Sequence, residues 1–298
     1  METSRRKEAR RCLETGNFPA NAYKIVDPWE SSYRPGMMDS PRAGMHGQQT
    51  QTELCPGNKI YNCNLIFNEN KNTYEQKCFL FSGSVINPKQ GLTVAHAIDP
   101  GNEIEIKCDS DSAAEAHKVI VGRCRETFLS LQRQSGGQLS ADLALLELDT
   151  DRCSVHNTVW WPYRGANTAF QIKIYKGHTI PDDTGVIILD RNGEFQSGCI
   201  RRTRVNDGNL HDAIGICASE EEEVTVTQPG DSGALVMSIP KSDKTLYVYG
   251  IVTGISGPPD GEPSFTVANS LWKVIDEIST NENYSAALAG DTRDIDFA

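Results

Sequence analysis

From about residue 59 the chain carries short apolar or alternating runs, each broken by Gly, Asn, Asp or Pro. Cys78-Phe-Leu-Phe, Ile104-Glu-Ile-Lys-Cys, Val119-Ile-Val and Leu143-Ala-Leu-Leu-Glu-Leu are examples, followed by Val186-Ile-Ile-Leu, Val224-Thr-Val and Leu246-Tyr-Val-Tyr-Gly-Ile-Val. Runs of this length and frequency predict strands, and so an all-β chain built as barrels or a sandwich. One segment has a different period. In Ser270-Leu-Trp-Lys-Val-Ile-Asp-Glu-Ile, apolar Leu271, Val274, Ile275 and Ile278 recur at i, i+3, i+4 and i+7. That spacing predicts an amphipathic helix, with Asn269 or Ser270 available to cap it. No repeat at solenoid periods is visible.

Residues 1–54 lack this patterning. The first eleven residues hold five Arg or Lys and two Glu, and Pro19, Pro28, Pro35 and Pro41 follow among small and polar residues. The segment reads as a loosely ordered arm preceding one folded region, residues 55–298. Its basic cluster suits an address to the nucleus, an address to an acidic surface, or a solvated helix tip.

Composition narrows the function classes. Lys and Arg number 29 against 40 Asp and Glu, a net charge of −11, which argues against a nucleic-acid partner needing a basic face. No apolar run reaches the roughly 18 residues of a membrane span. The basic start is not followed by an apolar core, so a secretory signal is not expected and an intracellular, cytoplasmic location is. The nine cysteines form no Cys-x-x-Cys pair, so no metal centre is expected. Buried thiols suit the odd count, although cysteines far apart in sequence could still meet as disulfides.

Three segments pair an apolar strand with a reactive polar residue: Gly91-Leu-Thr-Val-Ala-His96, Ser140-Ala-Asp142-Leu-Ala-Leu-Leu and Thr227-Gln-Pro-Gly230-Asp-Ser232-Gly. A serine hydroxyl attacks at neutral pH only when a base takes its proton. Histidine titrates near neutrality and can act as that base, then as an acid. A carboxylate on the other imidazole nitrogen fixes the tautomer and stabilises the imidazolium. His96, Asp142 and Ser232 offer one residue for each role. The oxyanion formed by attack needs fixed donors, and the backbone N–H groups of Gly230 and Ser232 are the candidates. Taken singly, each segment also has a plain structural reading. His96 could be a structural histidine after a strand, Asp142 a cap or strand-edge acid, and Asp-Ser-Gly a common turn.

Together, Thr93-Val-Ala-His96, Asp142-Leu-Ala-Leu-Leu146 and Gly230-Asp-Ser-Gly233 resemble the three blocks of the chymotrypsin-like (trypsin-like) serine peptidases, in that family's order. The separations are 46 residues from His96 to Asp142 and 90 from Asp142 to Ser232, close to the family's. Ser82-Gly-Ser-Val-Ile86 looks like the strand preceding the His block. The resemblance covers about residues 59–280. It implies two packed antiparallel β-barrels, at approximately 55–150 and 151–298, with a C-terminal α-helix. It also implies a serine endopeptidase acting on protein or peptide substrates through an acyl-enzyme, without cofactor. An α/β-hydrolase elbow is excluded, because Gly-x-Ser-x-Gly needs Gly where this chain has Ala234.

The chain departs from the family at several places. Ala97 follows the histidine, where many secreted members have cysteine. No Ile-Val-Gly-Gly start is present to supply a buried amine to Asp231. Lys24-Ile-Val-Asp lies far from His96, and Lys59-Ile60-Tyr61 lacks the glycines. Asp231 is therefore expected to accept local hydrogen bonds, and the full-length chain to be competent as it stands or switched by a regulatory partner. Val226 stands where trypsin-like members carry the pocket aspartate, so a neutral pocket base is implied. Glu220–Glu223 could lend nearby negative charge or form a solvated loop. Thr253, Gly254 and Ile255 resemble the segment that pairs with substrate backbone, and Thr253 could also reach Asp142. The rival reading is a catalytically silent pseudopeptidase that binds peptides or proteins.

Overall fold

A computed structural model describes residues 51–68, 73–83, 86, 89–108, 117–164, 166–176, 180–201, 213–218, 225–256 and 265–288. The expected arm of residues 1–54 ends sooner, since Thr52–Leu54 pair in parallel with Cys153–Val155 and Leu54 is buried in the core; its residues up to 50, together with Glu220–Glu223 and Val224, lie outside the described residues.

The first half is β1 (Thr52–Leu54), β2 (Lys59–Asn68), β3 (Thr73–Leu80), β4 (Gln90–Thr93), β5 (Glu103–Cys108), β6 (His117–Gln132), β7 (Gln138–Leu148) and β8 (Cys153–Val155). The second is β9 (Thr158–Tyr163), β10 (Ala166–Ile174), β11 (Gly185–Leu189), β12 (Phe195–Ile200), β13 (Ala213–Cys217), β14 (Leu235–Ser238), β15 (Thr245–Ser256), β16 (Phe265–Ser270) and the helix α1 (Leu271–Thr280).

Two antiparallel rings result. The first runs β3-β2-β5-β6-β7-β4. It closes where Ser82 N–H donates to the Leu92 carbonyl (2.9 Å) and Leu92 N–H to that of Gly83 (3.1 Å). The second runs β14-β11-β12-β13-β16-β15, and β14 pairs with β15 to close it. This is the all-β, two-barrel architecture with a C-terminal helix that the sequence led us to expect. One addition was not anticipated. The β9–β10 hairpin joins the second sheet, where β10 pairs in parallel with the first half of β15, from Gln171↔Thr245 to Ile174↔Val248.

The continuous apolar runs have a simple cause. Ile187 and Leu189 of β11, and Leu235 and Met237 of β14, join the cluster that fills the first barrel and the inter-barrel layer. Their alternates Val186, Ile188 and Val236 fill the second barrel. A strand buried on both faces shows no polar alternation.

Two local expectations need correction. Thr225 and Val226 are not in a strand. Thr225 Oγ1 donates to the Thr227 carbonyl (3.0 Å) and accepts from Thr227 N–H (3.3 Å), so a side chain takes backbone groups a ladder would use. The helix forms as expected, but neither Asn269 nor Ser270 caps it through its side chain. Ser270 is at the N-cap position and is also the last residue of β16, paired with Gly250. Burial of Leu271, Trp272, Val274, Ile275 and Ile278 supplies the stabilisation instead, at roughly 1.5–3 kcal/mol for each large apolar side chain.

The helix docks on the first barrel, so it ties the two together. Gln134 N–H donates to Glu277 Oε1 (3.0 Å), Asn281 Nδ2 to the Gln132 carbonyl (3.0 Å), and Gln132 N–H to the Tyr284 hydroxyl (2.9 Å). No described helix is long and apolar enough to cross a membrane.

Candidate active site

The pairing of β4 with β7 brings two of the expected groups together. Their register ends at Thr93↔Ala144, and one further step along each strand leads toward the 3-10 turn Ala95–Ala97 and toward Asp142. The β6–β7 ladder slips between Phe128↔Leu143 and Ser130↔Ser140, so β7 holds one extra residue there. Asp142 sits in that bulge with φ +40°, a left-handed conformation that Asp tolerates better than most residues. A bulge re-aims the side chain it carries, and here both carboxylate oxygens meet His96. Oδ2 lies 2.7 Å from Nδ1, and Oδ1 accepts the His96 backbone N–H at 2.9 Å. Two contacts fix ring and backbone at once. Asp142 is mostly shielded, with 14% of its side chain exposed, while the His96 side chain keeps 42%.

Ser232 arrives from the second barrel. Gln228-Pro229-Gly230-Asp231 is a four-residue turn closed by Asp231 N–H donating to the Gln228 carbonyl (3.1 Å). Gly230 has φ +102°. Proline at the second position and positive φ at the third define a type II turn. The turn seats on the first barrel, because Leu80 N–H donates to the Ser232 carbonyl (3.2 Å) and the Ser82 hydroxyl to that of Gly233. Gly233 is required at that seat. It has φ +92°, and a Cβ there would lie 2.6 Å from the Leu80 carbonyl and 3.0 Å from Thr93 Oγ1. Thr93, three residues before His96, in turn donates to the Leu80 carbonyl (2.7 Å). Among the described residues, His96 Nε2 and the Ser232 hydroxyl make no hydrogen bond, and the N–H groups of Gly230 and Ser232 have no acceptor. Nucleophile–base bonds are often absent before substrate arrives.

Asp231 is buried and held locally, as expected. Oδ1 accepts the Arg191 backbone N–H (3.0 Å) and Oδ2 that of Gln228 (2.8 Å). Burial pushes its carboxyl above the usual range, while those two N–H groups and the Arg191 charge oppose the shift. Arg191 escaped the sequence reading. It stands at the β11–β12 hairpin tip and donates Nη1 to the Pro229 carbonyl and Nη2 to Gln228 Oε1 (3.3 Å). The Asp190-Arg-Asn-Gly turn signal marks a hairpin tip but says nothing of what the tip touches.

The expected substrate-contacting residues are more scattered in role. Val226 packs against the second barrel's interior cluster, half-buried. Beside it, Thr225 and Thr227 each hydrogen-bond the buried Thr266 hydroxyl, at 2.9 and 2.8 Å. Thr253 is the extra residue in a β15–β16 bulge. It donates to the Val267 carbonyl (3.4 Å) rather than to Asp142. Gly254 pairs with Val267, and a Cβ there would meet nothing within 4 Å. Ile255 is exposed to 38%, unusual for its type. No described group of His, Cys, Asp and Glu could hold a metal ion.

No family model matches the sequence, and no curated protein matches it. Among solved structures, the one titled "Structure of GrC" aligns at TM-score 0.44 and 12% identity, covering 76% of this chain and 94% of that one. A Nocardiopsis protease (NAPase) aligns at TM-score 0.43 and 15% identity, covering 75% of this chain and 95% of that one.

Proposed function

We propose that this chain is a chymotrypsin-like serine endopeptidase whose catalytic residues are Ser232, His96 and Asp142. The observation that carries the reading is the doubly held His96: its Nδ1 lies 2.7 Å from a carboxylate that also binds its backbone, and its Nε2 makes no hydrogen bond among the described residues. That pattern leaves Nε2 as the basic nitrogen. In this reading Ser232 Oγ attacks the carbonyl carbon of a peptide bond and its proton passes to Nε2. The oxyanion meets the N–H groups of Gly230 and Ser232, which have no acceptor among the described residues. The imidazolium returns the proton to the leaving amine, and water then releases the acyl group by the reverse sequence.

The same reading assigns residues 52–298 to the peptidase unit, since Thr52–Leu54 pair with Cys153–Val155 and Leu54 is buried in the core, and leaves the preceding residues as an arm. It takes protein or peptide as substrate. Val226 lines the pocket for the residue before the scissile bond, and Gly254 and Ile255 present the edge for substrate backbone. Asp231, already bonded to two local N–H groups, needs no cleaved amine.

The test is fluorophosphonate labelling of the full-length chain with the site read by mass spectrometry. Label on Ser232, lost in Ser232→Ala and in His96→Ala, is the expected result. A chain that folds but takes no label at Ser232 is a binding protein built on a peptidase fold, and the reading fails.

A further inference from the structure

Arg191 reaches the middle peptide of the turn that carries Gly230. Type I and type II turns share their ends and differ by a rotation of about 180° of that peptide. Glycine at the third position accepts either state, so the turn's own residues do not hold one. In a trans peptide the C=O and N–H point in opposite directions. The group that captures the Pro229 carbonyl therefore decides where the Gly230 N–H points.

That group is the Arg191 guanidinium. Nη1 donates to the Pro229 carbonyl and Nη2 to Gln228 Oε1 at 3.3 Å, which grips the first two residues of the turn. A Cβ at Gly230 would lie 2.8 Å from Nη1 and 3.3 Å from Cδ, so the side chain covers one face of the turn. A flipped peptide would turn the Gly230 N–H toward a cation that only donates, and would lose a charge-assisted bond. The grip is anchored at its base. Arg191 N–H binds Asp231 Oδ1 at 3.0 Å. The hairpin tip is fixed by buried Asp190, whose oxygens accept Asn192 N–H (2.8 Å), Glu194 N–H (3.0 Å) and Gln196 Nε2 (2.9 Å). Backbone and side chain of one residue thus hold Asp231 and the Pro229–Gly230 peptide together.

We infer that Arg191 is a positioning residue, which keeps the Gly230 N–H turned away from itself and available to the oxyanion. The inference rests on the peptidase reading above. It makes a separable demand, because a residue that aims an oxyanion donor acts on the tetrahedral state and leaves ground-state binding unchanged.

The experiment compares the parent with Arg191→Met, which keeps the apolar stem, and Arg191→Lys, which keeps the charge and one donor. Three readouts are taken: the rate of fluorophosphonate labelling, kcat and KM on a peptide amide cut by the parent, and Ki for a peptide aldehyde ending in leucinal. The aldehyde adds to the serine as a tetrahedral adduct. Removing an oxyanion donor outright costs about 10²–10³ in kcat, so a donor that is present but unaimed loses roughly 10- to 100-fold. Arg191→Met is expected to lose that in kcat and in labelling rate, with KM within twofold and the aldehyde Ki weakened by the same factor as kcat. Arg191→Lys is expected to recover most of it. If Arg191→Met does not fold, Arg191→Lys carries the test, with a smaller parallel loss in kcat and Ki. An unchanged kcat, or a kcat loss with unchanged aldehyde Ki, overturns the inference while the labelled parent keeps the peptidase reading. A parent that takes no label removes both.

Discussion

Asp142→Asn separates the chemistry of the site from its architecture. Asp142 is held at φ +40° in a bulge, and asparagine tolerates that conformation well, whereas alanine would add strain of ~1–2 kcal/mol. Asparagine also keeps the shape. What changes is one oxygen, which becomes a donor. The carboxylate accepts from His96 twice, at 2.7 Å from Nδ1 and 2.9 Å from the backbone N–H. An amide can satisfy the backbone N–H with its oxygen only by presenting its NH₂ to Nδ1. Nδ1 must then accept, the ring proton moves to Nε2, and the proposed base has no lone pair for Ser232. In a serine triad, a tautomer error of this kind lowers kcat by about 10⁴. The thermodynamic loss is smaller. A hydrogen bond to a charged group contributes ~1.5–3 kcal/mol, and His96, with 42% of its side chain exposed, belongs at the low end. A loss of ~1.5 kcal/mol lowers the melting temperature by only about 3–6 °C in a domain of this size. The assay pairs steady-state hydrolysis of a peptide amide with a thermal melt of the same preparation. A variant that retains kcat within tenfold of the parent would refute the tautomer argument. A variant that unfolds at ambient temperature would show that the contact is structural first.

Three further outcomes follow from the same geometry. A cleavage profile from a peptide library should favour apolar or small residues before the scissile bond, because Val226 and neighbouring threonine hydroxyls offer no carboxylate; a profile dominated by Arg or Lys contradicts this and directs attention to Glu220–Glu223. The full-length chain should label with fluorophosphonate, and a chain starting at Ile60 should not label better. Ile60 is fully buried in β2 between Phe79 and Ile106, so freeing its amine breaks the first barrel, and labelling confined to the shortened form would restore activation by cleavage. The buried Cys124 and Cys153 thiols are pushed up to about 12 and about 11 by desolvation, with Asp99 and Asp149 adding to the shift. Only about one Cys124 in 10⁴ is then thiolate at pH 8, so native iodoacetamide labelling of both should be slow and should quicken roughly tenfold per pH unit as pH rises; stoichiometric labelling within minutes at pH 8 would contradict the shift.

The amphipathic helix was legible because its signal is local. Leu271, Val274, Ile275 and Ile278 lie on one face whatever they pack against, and only the absence of a side-chain cap needed the structure. The runs of β3, β5, β6 and β7 in the first barrel and of β11 and β15 in the second were legible for the same reason, as were the three reactive segments, each a short word beside an apolar run. The order of strands, the bulge that aims Asp142 and the seating of the Ser232 turn on Leu80 were not. They depend on which strands meet, and pairing is settled by burial shared among residues far apart in the chain. The parallel docking of β10 on β15 leaves no local mark, since a strand's residues look alike in either direction. Thr225 shows the converse limit: a β-branched run reads as strand until a hydroxyl captures the backbone. Arg191 is the clearest case. Its sequence context announces a hairpin tip, and only the folding of that hairpin onto the Gln228–Asp231 turn, 40 residues apart at the Arg191–Asp231 contact, turns that tip into the clasp of the Gly230 peptide. Sequence determined what a segment is wherever the signal is local, as in the helix Leu271–Thr280. The tertiary structure decided what each segment faces, because facing is a property of pairs and the free energy that selects it is spread over the whole core.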